Sequence, residues 1–483
     1  MAGKMSPKAN RKKRQRGIAL IVVLVLLGLL VGVLVVGFTG DLARQNKKQQ
    51  QTTEALAKAK EALIGYAAGV NLAAGAYRPG DLPCPDITNN GVAGGSCSNG
   101  GGTTLGRLPW KTLGLQDLRD GDGERLWYAV STNFKNNPST SCSLPGQPGY
   151  MLGAEAGCLN SDSRGTITVR GSDGTIVNYG TNPDPFTPSG AIAVIISPGA
   201  VMQRQGSATT QDRSAAGVNS PINFLDVGNG EDNAAFTDGS TDGFINGPVY
   251  DVNRHVIVND RVLAITYSDL MPLLERRVAK EVFNCLTGYA ADPQNNGRYP
   301  WAADIAASAS GDYSDVAGNR YGRLPDSFNQ TILGTNLPPT AAICSATPSL
   351  CMWGSWRGSC ALSAAPSSWW TNWKEMVFYA VAQNYQPADP VSFVLGVPAP
   401  GPCGSCLTVN PPSAAANKKF VVMVAGKRLS LSAVAGVQPR ASTGDKSTAG
   451  NYLEGENDWT AGVADTFSQQ SATNTFNDYL LFQ

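Results

Sequence analysis

Residues 11–38 have the sequence RKKRQRGIALIVVLVLLGLLVGVLVVGF, and this stretch decides how the whole chain is organised. A basic head is followed by Gly17 and then by an apolar run, residues 18–38, that contains no charged side chain. The run matches the roughly 20 helical residues that cross the hydrocarbon core of a bilayer. Because the basic residues precede it, the positive-inside rule predicts a cytoplasmic N-terminus and a translocated remainder.

Two interpretations of the apolar run follow from its residues alone. An ordinary secretory signal has a shorter apolar core with a small-residue cleavage site after it. Here the run is too long, and the residues after it, TGDLARQNKKQQQ, continue a helical pattern. An uncleaved membrane anchor is the simpler interpretation, with the bulk of the chain on the far side of the membrane.

The order of basic residues, Gly17, Ile18-Ala19-Leu20-Ile21 and an unbroken apolar helix resembles the prepilin leader of type IV pilins and type II secretion pseudopilins. The resemblance implies that a prepilin peptidase cuts after Gly17 and that the new terminal residue, Ile18, is methylated. It also implies that the helix leaves the inner membrane to become a filament stalk. The implied partners are other pilins or pseudopilins, the prepilin peptidase and the inner-membrane assembly platform.

One position departs from the pattern of this family. Most members carry a glutamate as the fifth residue after the cleaved bond, where this chain has Val22. The role proposed for that carboxylate is to neutralise the terminal amine of a neighbouring subunit inside an apolar filament core, where an unpaired charge is costly. Some minor pilins and the large minor pseudopilin at the tip also lack the glutamate. The resemblance therefore implies a minor, tip-type subunit.

Length and charge narrow the class of protein further. The chain has 483 residues, enough for two or three domains and more than a major pilin has. Its formal net charge is +1, and the basic leader supplies much of the positive charge. The remainder is mildly acidic, so the sequence gives no electrostatic indication of nucleic-acid binding.

All ten cysteines lie beyond the apolar run, which is the side where an oxidising periplasm or cell exterior favours disulfides. Pairing does not follow from sequence, but proximity favours Cys84 with Cys97, Cys142 with Cys158, and Cys403 with Cys406. The last pair forms a C-x-x-C in a Pro-rich loop, for which a short structural disulfide is the expected role. The cysteines are Cys84, Cys97, Cys142, Cys158, Cys285, Cys344, Cys351, Cys360, Cys403 and Cys406.

The chain beyond the apolar run repeats itself in blocks that recur in the same order. Residues 59–68 resemble residues 279–291, the GRLPW of residues 106–110 returns in residues 297–301 and 322–325, and NFLD of residues 223–226 returns as NYLE in residues 451–454. Each copy has the pattern of a helix followed by loops and strands. An α+β unit, in which a helix lies on an antiparallel sheet, fits this order.

The predicted fold class is therefore α+β, with a long N-terminal hydrophobic helix and two tandem pilin-like globular units, each a helix on an antiparallel sheet. The apolar run continues into a proline-free amphipathic segment, residues 41–70, so a single helix of about 50 residues is expected. The predicted boundaries are 1–17 for the leader, 18–38 for the transmembrane or stalk helix, 39–267 for the first unit and 268–483 for the second. Residues 203–242 and 341–370 have the composition of surface insertions.

Two groups of residues are candidate ligand sites. The acidic run of residues 117–124 offers the oxygen ligands that calcium prefers, although its spacing does not complete an EF-hand. An ordinary acidic turn is the alternative. The insertion at 341–370 contains tryptophans that either contact a ligand such as a sugar or form a disulfide-braced core. The candidate calcium ligands are Asp117, Asp120, Asp122 and Glu124, and the candidate contact residues are Trp353, Trp356, Trp369 and Trp370.

No pattern of catalytic residues is present in the sequence. The single histidine, His255, lies in an alternating strand-like segment, and no nucleophile elbow, phosphate loop or zinc signature occurs. The chain is predicted to be a non-enzymatic minor pilin or pseudopilin, anchored in the inner membrane with its bulk in the periplasm and then carried to a filament or the cell surface. The alternative is a membrane-anchored adhesin or ligand-binding protein that uses the Trp-rich insertion.

Overall fold

The computed structural model covers the chain with several gaps. Among residues 14–41 only the side chains of Leu24 and Leu27 are described, and those of residues 431 and 432 are not. The described residues are 3, 14–72, 78–94, 97, 105–131, 134–135, 159–180, 190–207, 209–214, 217–236, 243–293, 295–328, 356, 360, 362, 369–387, 399–404, 406–432, 436–440 and 442–483.

Two long helices organise the described chain. The first begins at Arg14 and ends at Gly69, and a capping box formed by Thr266 and Asp269 starts the second. Over the residues open to such a search, no helix has both the length and the apolar character needed to cross a membrane. The helices are α1 (Arg14–Gly69), α2 (Tyr267–Ala291), α3 (Ile305–Ala309), α4 (Trp369–Trp373) and α5 (Thr443–Lys446).

Short strands make up most of the remaining regular structure. We call the part of the chain before α2 the first unit, and α2 with everything after it the second unit. The strands of the first unit are β1 (Leu105–Arg107), β2 (Trp127–Val130), β3 (Thr168–Arg170), β4 (Ile176–Asn178), β5 (Ala193–Ser197), β6 (Val227–Gly228), β7 (Glu231–Asp232), β8 (Gly243–Ile245), β9 (Val249–Tyr250), β10 (Val256–Val258) and β11 (Arg261–Ile265). Those of the second unit are β12 (Tyr321–Arg323), β13 (Val377–Val381), β14 (Leu407–Val409), β15 (Ser413–Lys418), β16 (Phe420–Val424), β17 (Ser430–Ser432), β18 (Gly436–Val437), β19 (Thr466–Phe467) and β20 (Tyr479–Phe482).

The two units have the same sheet topology. A four-stranded sheet has the order β1-β2-β5-β11 in the first unit and β12-β13-β16-β20 in the second, and every pair in both sheets is antiparallel. A three-stranded sheet has the order β4-β3-β8 in one and β15-β14-β19 in the other, with a parallel pair in each. The register also matches, because Trp127 faces Ile196 and Phe378 faces Met423. The predicted α+β class is confirmed.

One long helix packs on the four-stranded sheet of each unit. The apolar stripe of α1, which includes Leu56 and Leu63, is buried against β5 and β11, and α2 buries Leu274 and Val278 against β16 and β20. These side chains, the second sheet and one face of the first sheet belong to one hydrophobic cluster. The other face of the first sheet, which includes Trp127 and Ile196, belongs to a separate cluster. Fully burying a leucine or valine contributes about 1.5–3 kcal/mol, so these stripes are a main source of stability.

Candidate functional site

The predicted processing residues, Gly17 and Ile18, lie outside the residues whose side chains are described. Most of the apolar run at 18–38 also lies outside them. The two described side chains of the run, Leu24 and Leu27, are 62% and 54% exposed. Apolar side chains this exposed are available for contact with a lipid or a protein neighbour.

The acidic run at 117–124 forms a turn whose carboxylates are directed to separate partners. Asp120 is fully buried and accepts hydrogen bonds from Ser197 Oγ (2.8 Å) and from the main-chain N–H of Gly199 (3.0 Å). Asp117 forms ion pairs with Arg119 and Arg125, both at 2.8 Å. The structure therefore uses these two predicted calcium ligands to fix the turn.

The same turn is attached to helix α1. Asp122 forms an ion pair with Lys48 Nζ at 2.6 Å, and the main-chain N–H of Gly121 donates to Thr52 Oγ1 at 3.0 Å. A Cβ on Gly121 would lie 2.2 Å from the carbonyl oxygen of Lys48, so only glycine allows this approach. Glu124 instead faces Arg213 at 3.3 Å. Among the described residues no group of three or more potential metal-ligating side chains is close enough to hold an ion.

The candidate tryptophans differ in accessibility. Trp369 and Trp370 are buried in the core of the second unit, with exposures of 3% and 0%, so they are not exposed ligand contacts as predicted. Trp356 is half-buried, and its Nε1 donates to the carbonyl oxygen of Pro325 at 3.2 Å. Trp353 lies outside the described residues. The described tryptophans therefore act in packing, which matches the core alternative.

Three disulfides join described cysteines, and no described cysteine is free. Two of them, Cys84–Cys97 and Cys403–Cys406, are pairs that proximity favours. The third, Cys285–Cys360, spans 75 residues and joins helix α2 to the Trp-rich insertion. The remaining cysteines lie outside the described residues: Cys142, Cys158, Cys344 and Cys351.

His255 lies in the turn before β10. Its side chain is 77% exposed, and its Nδ1 is 3.3 Å from a carboxylate oxygen of Asp251. Asp251 also accepts hydrogen bonds from main-chain N–H groups of this turn, including that of His255. The described part of the chain places no serine or cysteine nucleophile in hydrogen-bond contact with this histidine.

A buried carboxyl pair occupies the end of the four-stranded sheet in the first unit. The main-chain N–H of Asp226 and the side chain of Asn233 both donate to Asp260 Oδ2 at 2.8 Å. The main-chain N–H of Asn259 donates to Asp226 Oδ2 at 2.8 Å. Both aspartates are fully buried, and Asp226 lies in residues 203–242, to which composition assigns a surface insertion.

A glutamine and an arginine complete this polar network. Gln211 Nε2 donates to Asp226 Oδ1 at 2.9 Å, and Arg213 Nη2 donates to Gln211 Oε1 at 2.9 Å. Arg213 Nη1 also donates to the carbonyl oxygen of Gly199 at 2.7 Å. Gln211, Asp226 and Asn233 lie in residues 203–242, so the prediction of a surface insertion is wrong for this part of the segment.

The second unit contains the same polar network with a glutamate in place of one aspartate. The main-chain N–H of Glu454 and the side chain of Asn457 donate to Asp478 Oδ2 at 2.9 Å, and the N–H of Asn477 donates to Glu454 Oε2 at 3.0 Å. The glutamine and the arginine recur in the same roles. Gln438 donates to Glu454 at 2.9 Å, and Arg440 donates to Gln438 at 3.2 Å and to the carbonyl oxygen of Gly426 at 3.0 Å.

In each carboxyl pair, burial opposes ionisation of the aspartate that precedes the last strand of the four-stranded sheet. Burial, together with the negative charge of Asp226, raises the pKa of Asp260 well above its usual range. Burial raises the pKa of Asp226 to about 6. In the second unit, burial and the neighbouring Glu454 raise the pKa of Asp478 in the same way. Asp260 Oδ1 and Asp478 Oδ1 have no hydrogen-bond partner among the described residues. A proton on this aspartate removes the repulsion between two neighbouring carboxylates.

A buried arginine lies between two aromatic rings beside each network. In the first unit the guanidinium carbon of Arg107 is 4.1 Å from the ring centre of Trp127 and 3.9 Å from that of Phe224. This arrangement is a cation–π sandwich. The second unit has the same sandwich, at 4.4 and 4.5 Å, from Arg323, Phe378 and Tyr452. The repeated G-R-L-P block of the sequence therefore positions a buried arginine.

The two units contact each other through residues 159–163. Asp162 Oδ1 accepts from Arg440 Nη1 and from the main-chain N–H of Arg428, both at 3.1 Å. The main-chain N–H of Leu159 donates to Asn372 Oδ1 at 2.9 Å. A carboxylate of the first unit thus neutralises the network arginine of the second.

Glu275 is a buried carboxyl near the same contact. Glu275 lies on α2, 3.4 Å from the hydroxyl of Tyr267. The same hydroxyl donates to the carbonyl oxygen of Ser161 at 2.8 Å. Burial raises the pKa of Glu275 to about 8. This carboxyl is therefore largely neutral at pH 7.

A cleft of about 990 Å³ opens beside Glu275. Three parts of the second unit form its walls: the start of α2, the loop after β16, and the irregular segment before β20. Cationic and neutral polar side chains predominate at its rim. The residues used below are Glu275, Arg276, Lys427, Arg428, Asn477 and Asp478.

Comparison of the chain with protein-family models, with curated proteins and with solved structures finds no match. The function has therefore to be argued from the residues and their geometry.

Proposed function

We propose that this chain is a minor pilin or pseudopilin subunit that acts in assembly, at or near the tip of a type IV pilus or a type II secretion pseudopilus. Residues 18–38 are held first by the inner membrane and then by the helices of neighbouring subunits. Because lipid and filament core are similarly apolar, this exchange is driven by close packing and shape. The two units project from the stalk as a double head.

The observation on which the proposal rests is the composition of helix α1. Its first half includes the uncharged residues 18–38, and its second half buries an apolar stripe under the first four-stranded sheet. Leu24 and Leu27 are mostly exposed in the isolated chain, so these two side chains need a lipid or protein neighbour. A helix that is apolar all round in one half and amphipathic in the other suits a stalk that continues into a head.

The duplicated architecture supports a tandem head on a single stalk. The two units share a sheet order, a register and a buried polar network, while the second unit begins with α2, a helix of 25 residues. Only the first unit is therefore continuous with the apolar run. A double head and Val22 in place of the family glutamate both favour an end position over the repeating shaft.

The N-terminus of the mature protein tests the proposal. In a host with a prepilin peptidase, intact-mass and peptide analysis should find a chain that begins at methylated Ile18 and that is recovered with sheared filaments. Gly17→Ala should leave the leader attached, because the peptidase requires the residue at the cleaved bond. Gly28→Ala, inside the apolar run, is the matched control and should be processed normally.

Two results would contradict the proposal. One is a wild-type protein that keeps Met1 and never co-purifies with a filament. The other is normal processing of the Gly17→Ala variant.

A further inference from the structure

We propose that the cleft of the second unit binds an extended acidic segment of a partner polypeptide, with Arg276, Lys427 and Arg428 contacting its carboxylates. The proposal concerns the second unit alone and does not depend on the assembly role. Three observations support it: unpaired cations at the rim, buried carboxyls beneath them, and a wall of unpaired main chain.

The three cations have no carboxylate partner among the described residues. Arg276 and Lys427 are exposed, and their charged groups are 5.8 Å from the ring centre of Tyr479 and 5.3 Å from that of Tyr267. Arg277, the neighbour of Arg276, differs because it pairs with a glutamate one turn along α2. Positive side chains grouped without partners raise the local concentration of anionic ligands and speed their association.

The fold does not require the two basic residues of the loop. By the register of the strands, Lys427 and Arg428 occupy the positions of Ala200 and Val201 in the first unit. The same bond is present in both loops, since an asparagine side chain donates to the carbonyl oxygen of Ala200 at 2.8 Å and of Lys427 at 2.7 Å. The loop has the same local structure with neutral residues, so the charges serve another purpose.

The carboxyls in the floor of the cleft are buried, and burial opposes their ionisation. Glu275 and Asp478 are both more than nine-tenths buried. Burial raises the pKa of Glu275 to about 8, and burial with the charge of Glu454 raises that of Asp478. Asp478 Oδ1 and Asn477 Oδ1 accept no hydrogen bond from any described donor. The floor is therefore buried and polar beneath a positive rim.

One wall of the cleft favours a polypeptide over a small anion. Residues 468–473 have no regular secondary structure, and residues 470–475 are exposed. The main-chain N–H groups of Gln470, Ser471 and Ala472 make no hydrogen bond with any described residue. An extended peptide pairs with such groups through its own main chain, while its side chains confer specificity. The cleft lies at the upper end of the usual size of ligand sites.

The experiment measures peptide binding to the detergent-solubilised full chain by fluorescence anisotropy. The probe is a fluorescein-labelled peptide of repeated Asp-Ser-Gly triplets, and the matched neutral probe has Asn-Ser-Gly triplets. Lys427→Ala with Arg428→Val installs the residues of the first unit and should weaken binding about tenfold, as expected for two partly exposed ion pairs. Lys111→Ala with Arg261→Val removes the same charge elsewhere and should leave binding unchanged.

Each outcome decides for or against the cleft. Saturable binding of the acidic probe that weakens in the loop variant, but not in the control variant, supports the proposal. No binding up to about 1 mM, equal loss in both variants, or equal affinity for the neutral probe would overturn it. Equally tight binding of inorganic polyphosphate, or of anionic lipid vesicles, would assign the cleft to anions in general and would overturn the peptide assignment.

Discussion

Replacing the two members of the first buried carboxyl pair should have unequal effects. Asp260 is the protonated member, since burial and the charge of Asp226 both raise its pKa. Asp260→Asn keeps an oxygen for the two bonds from Asp226 N–H and Asn233, and it places its amide NH2 at the position of Oδ1, which has no hydrogen-bond partner among the described residues. Asp226 uses both oxygens as acceptors, from Gln211 and from a main-chain N–H. Asp226→Asn replaces one of these accepting oxygens with an NH2 group, which then faces another hydrogen-bond donor.

The magnitudes follow from these bonds. Asp260→Asn loses no hydrogen bond and should change the free energy of unfolding by less than about 1 kcal/mol. Asp226→Asn leaves one buried donor unsatisfied, which costs about 1–3 kcal/mol, and weakens a second bond in the network. The expected difference is about 2 kcal/mol, or about 4–8 °C in the midpoint of thermal unfolding for a unit of this size.

Urea and thermal unfolding of the full chain, followed by tryptophan fluorescence, measure this difference. Trp127 packs 5.6 Å from Phe224, two residues before Asp226, so its emission reports on the first unit. Asp478→Asn and Glu454→Gln test the second unit and should repeat the order. Equal destabilisation by Asp260→Asn and Asp226→Asn, or the reverse order, would refute the assignment of the proton.

Two further predictions concern the contact between the units. Burial raises the pKa of Glu275 to about 8 on folding, so its contribution to stability is complete below about pH 4.5 and is lost as the pH rises through 8. In urea unfolding at a series of pH values, the free energy of unfolding should fall over this range by up to about 1.4 kcal/mol per pH unit. Glu275→Gln should remove this slope, and an unchanged slope in the variant would contradict the argument. Asp162→Asn leaves Arg440 buried without its ion pair and should destabilise the second unit by about 3–5 kcal/mol. The control Asp173→Asn, in an exposed turn, should have little effect. Limited proteolysis mapped by mass spectrometry would detect local unfolding of the second unit, and equal resistance of both variants would count against the prediction.

Hydrophobic periodicity and repeated blocks gave the fold class from the sequence. The stripe of α1 has a helical period, and the repeated G-R-L-P block falls at matching registers of the two sheets, in residues 106–109 and 322–325. The N-cap of α2 is Thr266, two residues before the predicted boundary of the second unit at 268, because Asp269 is the N3 residue of the capping box. An aspartate near the start of a helix predicts that a cap is present, but not whether the aspartate is the N-cap residue or the N3 residue of a capping box.

The buried polar network was not predictable in the same way. Gln211 and Arg213 lie in a segment rich in small polar residues, and their bonds go to carboxylates and main-chain carbonyls distant in sequence. Such bonds leave no periodic pattern in the sequence, because each one pairs a single buried polar atom and does not recur along one face of a helix or strand. The traces in the sequence are the recurrence of Q-x-R at Gln438 and Arg440 and the repeated block that contains Asp226 and Glu454. Burial of Trp369 likewise depends on tertiary packing around it.

The two networks differ in the origin of their counter-charge, and this difference links the units. In the first unit Arg213 faces Glu124, a residue of the same unit, at 3.3 Å. In the second, Arg440 is neutralised by Asp162 from the first unit at 3.1 Å, and its side chain is only 2% exposed. An unpaired arginine at that depth would cost several kcal/mol, so the second unit depends on the first for its charge balance. The dependence also runs in the other direction, because Lys60 of α1 forms an ion pair with Asp269 of α2 at 2.8 Å.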